Sequence, residues 1–405
     1  METNQGLLFR KEFEEMRSWG ILLLLPMVLS AQPEFYGYFE TEASTIQLGD
    51  NKYNFGFNKF RLDLEARPND HVQVGVNINI QQYWGKTTWD IYDFIPVDDP
   101  TGQGLLITIP DTILLDNFYM KLSFEYADLT VGRQQISPGV GYAWNPVDIF
   151  NSKSLMDPSY EQTGVSALRL DIPLGDRSTL SGIVLPEDML KESTQYYALK
   201  TSVGSFDVAT IMAYESERDW MVPLLGRYDV TERNLLGASV IGEILNWGVW
   251  IEGAQNTLKL EMPPWSSYRP EDPEERFTEF VIGVDHTFDN SLYVLGEFLH
   301  NEFGVKKKAD LSLYSYLYAL EGETNSLMQD YTFLYLMHPT FDYVSLSAIA
   351  FANLNDNSGV FSPMLDWNVF EDTNLAIQGS LNWGEDNTEF GLQDWGLILN
   401  ITSNF

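Results

Sequence analysis

Charged and polar side chains recur in this sequence at every second position. Lys59, Arg61, Asp63, Glu65 and Arg67 alternate with Phe60, Leu62, Leu64 and Ala66. Asn117, Tyr119 and Lys121 repeat the spacing, and so do Arg169 and Asp171. A period of two is that of an extended strand, so each series lines one face while apolar residues line the other. Basic and acidic groups opposed across a water-filled passage set up a transverse field that sorts solutes by charge and shape. The chemistry these faces offer is selective passage. Lys59, Arg61, Asp63, Glu65, Tyr119, Lys121, Arg169 and Asp171 are the candidates for it.

Residues for bond-breaking chemistry are sparse. The four histidines are His71, His286, His300 and His338. Three fall at or near short turns. Only His300 lies at the opposite strand end, and no serine motif stands beside it to form a nucleophile–base pair. No phosphate loop, dinucleotide fingerprint or His-Glu-x-x-His motif occurs, so neither cofactor nor metal is expected, and no enzyme. The run Glu271, Asp272, Glu274 and Glu275 would meet divalent ions weakly, including those that bridge lipopolysaccharide, but such runs are usually solvated loop. A formal charge of −34 argues against nucleic acid and against a basic patch on anionic lipid. The absence of cysteine removes disulfides, thiolate metal sites and lipid attachment through sulfur.

The elements that must position these faces are strands. Val72, Val74, Val76, Ile78 and Ile80 alternate with Gln73, Gly75, Asn77, Asn79 and Gln81. Near the C-terminus Trp395, Leu397, Leu399 and Ile401 alternate with Asp394, Asn400 and Thr402. Short connectors at 67–70, 175–177, 203–205, 288–290 and 371–374 carry turn residues. Long ones at 84–113, 137–162, 215–234, 256–276 and 300–329 are acidic and rich in Pro, Gly and Trp. Tight turns that alternate with long loops are the pattern of a transmembrane barrel. Counting from Phe35 to Phe405 gives 18 strands, with 16 as the alternative. An even count places both termini on one side, the periplasmic one. Tyr83, Trp84, Tyr214 and Trp383 at one set of strand ends, and Tyr126, Phe288, Phe341 and Tyr343 at the other, read as two aromatic belts.

No apolar run reaches the length of a transmembrane helix. The longest, Ile21–Leu29, follows Arg17 and precedes Ser30 and Ala31. That is the layout of a secretory signal peptide, with cleavage expected after Ala31; a membrane anchor is the alternative. Residues 1–15 read as an upstream extension before Met16. The expected organisation is therefore residues 1–31 as extension and signal, and 32–405 as one all-β, antiparallel transmembrane barrel.

Two segments resemble known proteins. The strand ending on Phe405, with Leu397, Leu399 and Ile401 at alternate positions, resembles the closing strand of bacterial outer-membrane barrels; Ser403 departs from that pattern. The resemblance implies recognition by the barrel-assembly machinery. Residues 131–150 contain Gly132-Arg133-Gln134 followed by Asn145-Pro146-Val147-Asp148. This resembles a Gly-Arg-Gln strand and Asn-Pro-x-Asp loop of porin-like outer-membrane channels, including the alginate-export type. In porins the third loop folds inward and narrows the lumen. The resemblance implies the same for loop 137–162, with Trp144, Asn145, Pro146 and Asp148 at the constriction; an outward loop is the alternative. Pro138, Gly139, Gly141 and Pro146 suit a sharp bend.

Parity raises one conflict. Leu129 and Val131 should face lipid, which would turn Arg133 outward too, at a cost. Either Gly132 forms a bulge that turns Arg133 into the lumen, the favoured reading, or Arg133 lies at the outer rim. The function expected is passive diffusion of small polar or charged solutes, with cation preference from the acidic excess. Its partners are outer-membrane lipid, lipopolysaccharide and small solutes, with the oligomeric state open. The alternative is a non-conducting adhesin, receptor or scaffold with acidic external loops.

Overall fold

The computed structural model describes residues 33–95, 102–151, 162–187, 192–216, 229–261, 274–311, 315, 326–386 and 388–405. The signal segment, the upstream extension and the acidic residues Glu271 and Asp272 lie outside the described residues.

Strands dominate. The first group is β1 (Glu34–Leu48), β2 (Asn51–Asn69), β3 (Val72–Gly85), β4 (Thr88–Asp90), β5 (Leu106–Thr108), β6 (Thr112–Ser123) and β7 (Asp128–Gln134). Next come β8 (Val165–Pro173), β9 (Ser178–Leu185), β10 (Thr194–Val203), β11 (Phe206–Ser216), β12 (Asp229–Ile244), β13 (Trp247–Glu261) and β14 (Glu274–Thr287). The last are β15 (Tyr293–Asn301), β16 (Asp330–Phe341), β17 (Val344–Asn353), β18 (Ser358–Phe370), β19 (Thr373–Trp383) and β20 (Gln393–Asn404). Strands β4 and β5 form a small separate ribbon, and the other 18 form one antiparallel sheet. The sheet closes where β1 pairs with β20, as Thr41 opposite Ile401 and Thr45 opposite Leu397. The expected all-β barrel of 18 strands is what forms. The first barrel strand begins and the last ends at the edge of the tight turns, where the Gly37 and Phe405 backbones exchange hydrogen bonds of 3.2 and 3.0 Å.

Alternation sorts the side chains. On β20, Leu397, Leu399 and Ile401 are 47%, 39% and 39% exposed, while Asn400 between them is 6% exposed. Outward positions elsewhere carry Leu168, Leu170, Met212, Leu236, Ile251, Ile282, Leu334 and Phe361, all exposed. Inward positions carry Glu40, Glu42, Lys59, Asp63, Glu252, Glu279 and Glu297, all buried. This inversion, apolar outside and polar inside, is what a hydrocarbon surround demands. Exposed aromatics ring the turn edge: Phe35, Phe124, Tyr126, Phe288, Phe341, Tyr343, Phe370 and Phe405. Trp84 and Trp383 are exposed at the other edge.

Leu399 sits mid-strand on the outward face. Leu399→Arg is expected to cost about 2–4 kcal/mol of stability in lipid vesicles, the depth-dependent cost of a charge at the bilayer midplane. Denaturant unfolding in vesicles measures it. A cost under about 1 kcal/mol, the interfacial value, would remove this face from the hydrocarbon.

Candidate functional site

The charged faces expected from spacing converge. Arg61, Asp63, Glu65, Tyr119, Lys121, Arg169 and Asp171 line one cavity of about 440 Å³ on the inner wall of β2, β3, β6, β7 and β8. Antiparallel pairing brings them together, with Asp63 opposite Asn77, Asn77 opposite Asn117, and Asp128 opposite Asp171. The charges satisfy one another. Arg61 grips Asp63 through two bonds of 2.8 and 2.9 Å, and Asn77 donates to the same carboxylate at 2.6 Å. Arg169 holds Asp171 at 2.7 and 3.2 Å, with Ser181 donating at 2.6 Å. Residues two apart on a strand share a face, so each Arg-x-Asp forms a planar fork-to-carboxylate pair. Lys121 meets Asp128 at 2.8 Å, and Glu65 meets Arg67 at 2.9 Å. Lys59 stands apart from this cavity, buried 4.0 Å from Glu40 and over the Tyr38 ring.

Arg133 does not join them. Thr130 and Gln134 line the cavity, so Arg133, at odd parity between them, faces away with Val131. The register runs unbroken through Gly132, opposite Tyr119 and Ala167. The bulge expected at Gly132 falls instead on β6, where Asn77 pairs Asn117 but Ile78 pairs Leu115. Asp116 is the extra residue, and its carbonyl accepts Arg133 Nε at 3.0 Å. The side chain thereby gains one carbonyl acceptor, one residue from the end of β7, the rim position that was the other reading.

Residues 136–151, from the third connector at the long-loop edge, pack against the inner faces of β8–β17. Val147 enters a cluster with Tyr196, Ile211, Leu235 and Ala254. Trp144 packs on Tyr331, Phe333 and Phe351 at 6.2, 6.4 and 5.3 Å between ring centres. Strand β16, which carries Tyr331 and Phe333, is nine strands from β7 in the ring of 18, hence diametrically across. Asn145, Pro146 and Asp148 are buried beside Trp144. The Asn145 amide donates to the Pro138 carbonyl at 3.3 Å, and the Asp148 carboxylate accepts from the Phe150 and Asn151 amides at 2.8 and 3.1 Å.

Two carboxylates hold the loop by its backbone. Glu252 on β13 accepts from Val140 N–H at 2.6 Å and Val147 N–H at 3.0 Å. Glu297 on β15 accepts from Tyr142 N–H, from Ala143 N–H at 2.6 Å and from Trp250 Nε1 at 2.6 Å. Charge-assisted bonds of this kind are roughly twice as strong as neutral ones. Gly139 has φ +98°, and a Cβ there would lie 2.8 Å from a Glu252 oxygen, so glycine lets the strap pass close to its latch. Glu252 and Glu297 were missed in the sequence. Inward parity marks them as lumen residues, but nothing local reveals that their partners lie over a hundred residues away.

A third buried carboxylate ties in the 384–392 connector. Glu389 accepts from the Tyr331 hydroxyl at 2.6 Å and the Asn353 amide at 2.7 Å, and its own N–H donates to Asp356 at 2.8 Å. Burial pushes its carboxyl up to about 7; Asp356 adds to this, and the bonds from Tyr331 and Asn353 oppose it. His300, the one histidine at this edge, is paired with Asp330 at 2.7 Å and lies against Phe280.

Two outcomes follow from these latches. Replacing both Glu252 and Glu297 by Leu removes acceptors of charge-assisted bonds, so hydrogen exchange at Val140, Tyr142, Ala143 and Val147 should accelerate by about tenfold or more; unchanged protection would show that side-chain packing alone holds the loop. For Glu389 the raised value fixes the sign. Docking of 384–392 is strongest below the ordinary carboxyl value near 4.5 and weakens as pH rises to about 7. Exchange at Phe390 should quicken over that range, and Glu389→Gln should flatten the dependence.

No family model matches the sequence, and no curated protein matches it either. Similarity is to solved structures. OccAB1 of Acinetobacter baumannii aligns with TM-score 0.56 at 11% identity, over 93% of this chain and 98% of that one. A BenF-like porin from Pseudomonas fluorescens Pf-5 aligns with TM-score 0.53 at 10% identity, over 92% and 98%. OccK11 of Pseudomonas aeruginosa aligns with TM-score 0.52 at 10% identity, over 92% and 96%. With so little identity over nearly whole chains, what is shared is the backbone path, and this chain has the fold of a porin-type β-barrel.

Proposed function

We propose that the protein is a non-enzymatic channel of the bacterial outer membrane, through which small polar or charged solutes diffuse passively. The observation that carries this reading is the interior: a loop strapped across a closed barrel, with a polar, charge-lined cavity beside it. A structural plug would be filled by packed apolar groups, whereas this wall keeps paired ions that tolerate water. The fold it shares with the BenF-like porin supports the same reading. Exported through the periplasm behind residues 1–31, the chain would meet the barrel-assembly machinery through its last strand. There Phe405 stacks on Phe60 at 5.8 Å. The turn edge then faces the periplasm, and the long connectors face lipopolysaccharide.

The loop at 136–151 sets the width of the path, and Trp144, Asn145, Pro146 and Asp148 build it. Arg61, Asp63, Tyr119, Lys121, Arg169 and Asp171 line the side that stays polar. The acidic excess of the chain raises cation concentration at the mouth.

In planar bilayers the purified protein should give discrete conductance steps. The Glu252→Leu, Glu297→Leu double variant should give larger or noisier ones as the strap loosens. Absence of any steps would overturn the channel reading in favour of a receptor or adhesin. Reversal potentials in a salt gradient should favour cations, and an anionic preference would remove the charge argument alone.

A further inference from the structure

The two sides of the lumen differ in kind. Around the β2–β8 cavity stand Arg61, Lys121 and Arg169 against Asp63, Glu65 and Asp171, three basic and three acidic groups, each engaged in an ion pair. That wall has no net charge to offer. Between the loop and the turn edge of β12–β15 lies a second cavity, of about 420 Å³. Tyr142, Trp250, Tyr293, Asp148 and Asp285 line it, with Ile241 and Leu295, and no Lys or Arg is among its described lining residues.

Its aromatic part comes from three elements. Tyr142, on the loop, is 43% exposed and stacks on Tyr335 of β16 at 6.0 Å and 18°. Tyr293 of β15 meets the same ring edge-on at 6.1 Å. The Tyr293 hydroxyl donates to Asp285 at 2.7 Å, which fixes ring and carboxylate together at the turn edge. Trp250 is fixed likewise by its bond to Glu297.

We propose that this cavity is a binding site for small organic ammonium ions, those with a compact apolar body around or beside the charged nitrogen. The proposal rests on the channel reading for the path that brings a solute there. Ring faces carry the negative end of the aromatic quadrupole and attract a cation, most strongly where water is scarce. Asp148 and Asp285 add full charges. Leu295 and Ile241 accept the carbon body, a gain closed to a hydrated inorganic ion, which must shed its water to enter. An anion meets carboxylates here and no lining Lys or Arg. A neutral solute of the same shape gains the apolar contact but not the electrostatic one. The loop strap thus supplies one wall of the site, and Tyr142 is its contribution.

Calorimetric titration of the full folded chain in detergent tests this with choline and with 3,3-dimethyl-1-butanol, which has choline's shape without its charge. Choline should bind about fivefold or more tightly than the alcohol, and Tyr142→Ala and Asp285→Asn should each erode that preference. Tyr142 is exposed on a loop and Asn is isosteric with Asp, and the folded barrel's resistance to detergent unfolding checks both variants. Equal binding of choline and the alcohol overturns the site. So does a preference that survives in both variants, which would place the cation on the acidic connectors. Parallel bilayer recordings separate the two readings: choline preference without conductance steps sustains the site and defeats the channel, whereas steps without choline preference defeat the site alone.

Discussion

A peptide group in hydrocarbon has no water to turn to, and that constraint shapes this protein before any other. An open sheet would leave two edges unpaired, so β1 must find β20. Closure of an antiparallel sheet by its first and last strands requires an even number, and 18 is the number reached. With the ring closed, every side chain is either lipid-facing or interior, and the period of two decides which. Leu399 and Asn400 are adjacent in sequence and face opposite solvents.

The interior is then a problem of its own, because a ring of this size is too wide for its own side chains to fill. The chain divides the space unequally. Along β8–β17 the loop brings Val147, Trp144 and Ile149 to pack as a core would. Along β2–β8 the wall stays polar, and its ions are neutralised in pairs on the same or neighbouring strands. Burying the Arg61–Asp63 pair without further partners would be costly, and the Asn77 amide supplies one.

Much of this was legible in the sequence, and the limit is physical. Alternation at Lys59–Arg67 and Leu397–Ile401 reported strand, face and barrel together, because one periodicity governs all three. Arg61, Tyr119 and Arg169 come together because successive barrel strands pair across the long connectors as well as the short turns. Arg133 keeps the parity of Leu129 and Val131; which strand of a pair takes a bulge is not written in the alternation, and it lies at Asp116 on β6. The latches at Glu252 and Glu297 were out of reach altogether. Each joins residues more than a hundred positions apart, and a carboxylate on an inward face reads the same whether it meets water, a solute or a loop.

That latch has a consequence for how the barrel interior can change. Glu252 and Glu297 grip main-chain N–H groups, which every residue but proline possesses. The exposed Tyr142 side chain is therefore uncoupled from this anchoring, whereas Ala143 and Val147 also hold the strap by packing. The side chain at position 142 can be exchanged, and the lining of the interior with it, while the strap keeps its path. Proline in place of Val140, Tyr142, Ala143 or Val147 would remove one of the gripped N–H groups, and a side chain at Gly139 would press on Glu252. The chemistry of that wall can drift across generations without passing through an unlatched intermediate.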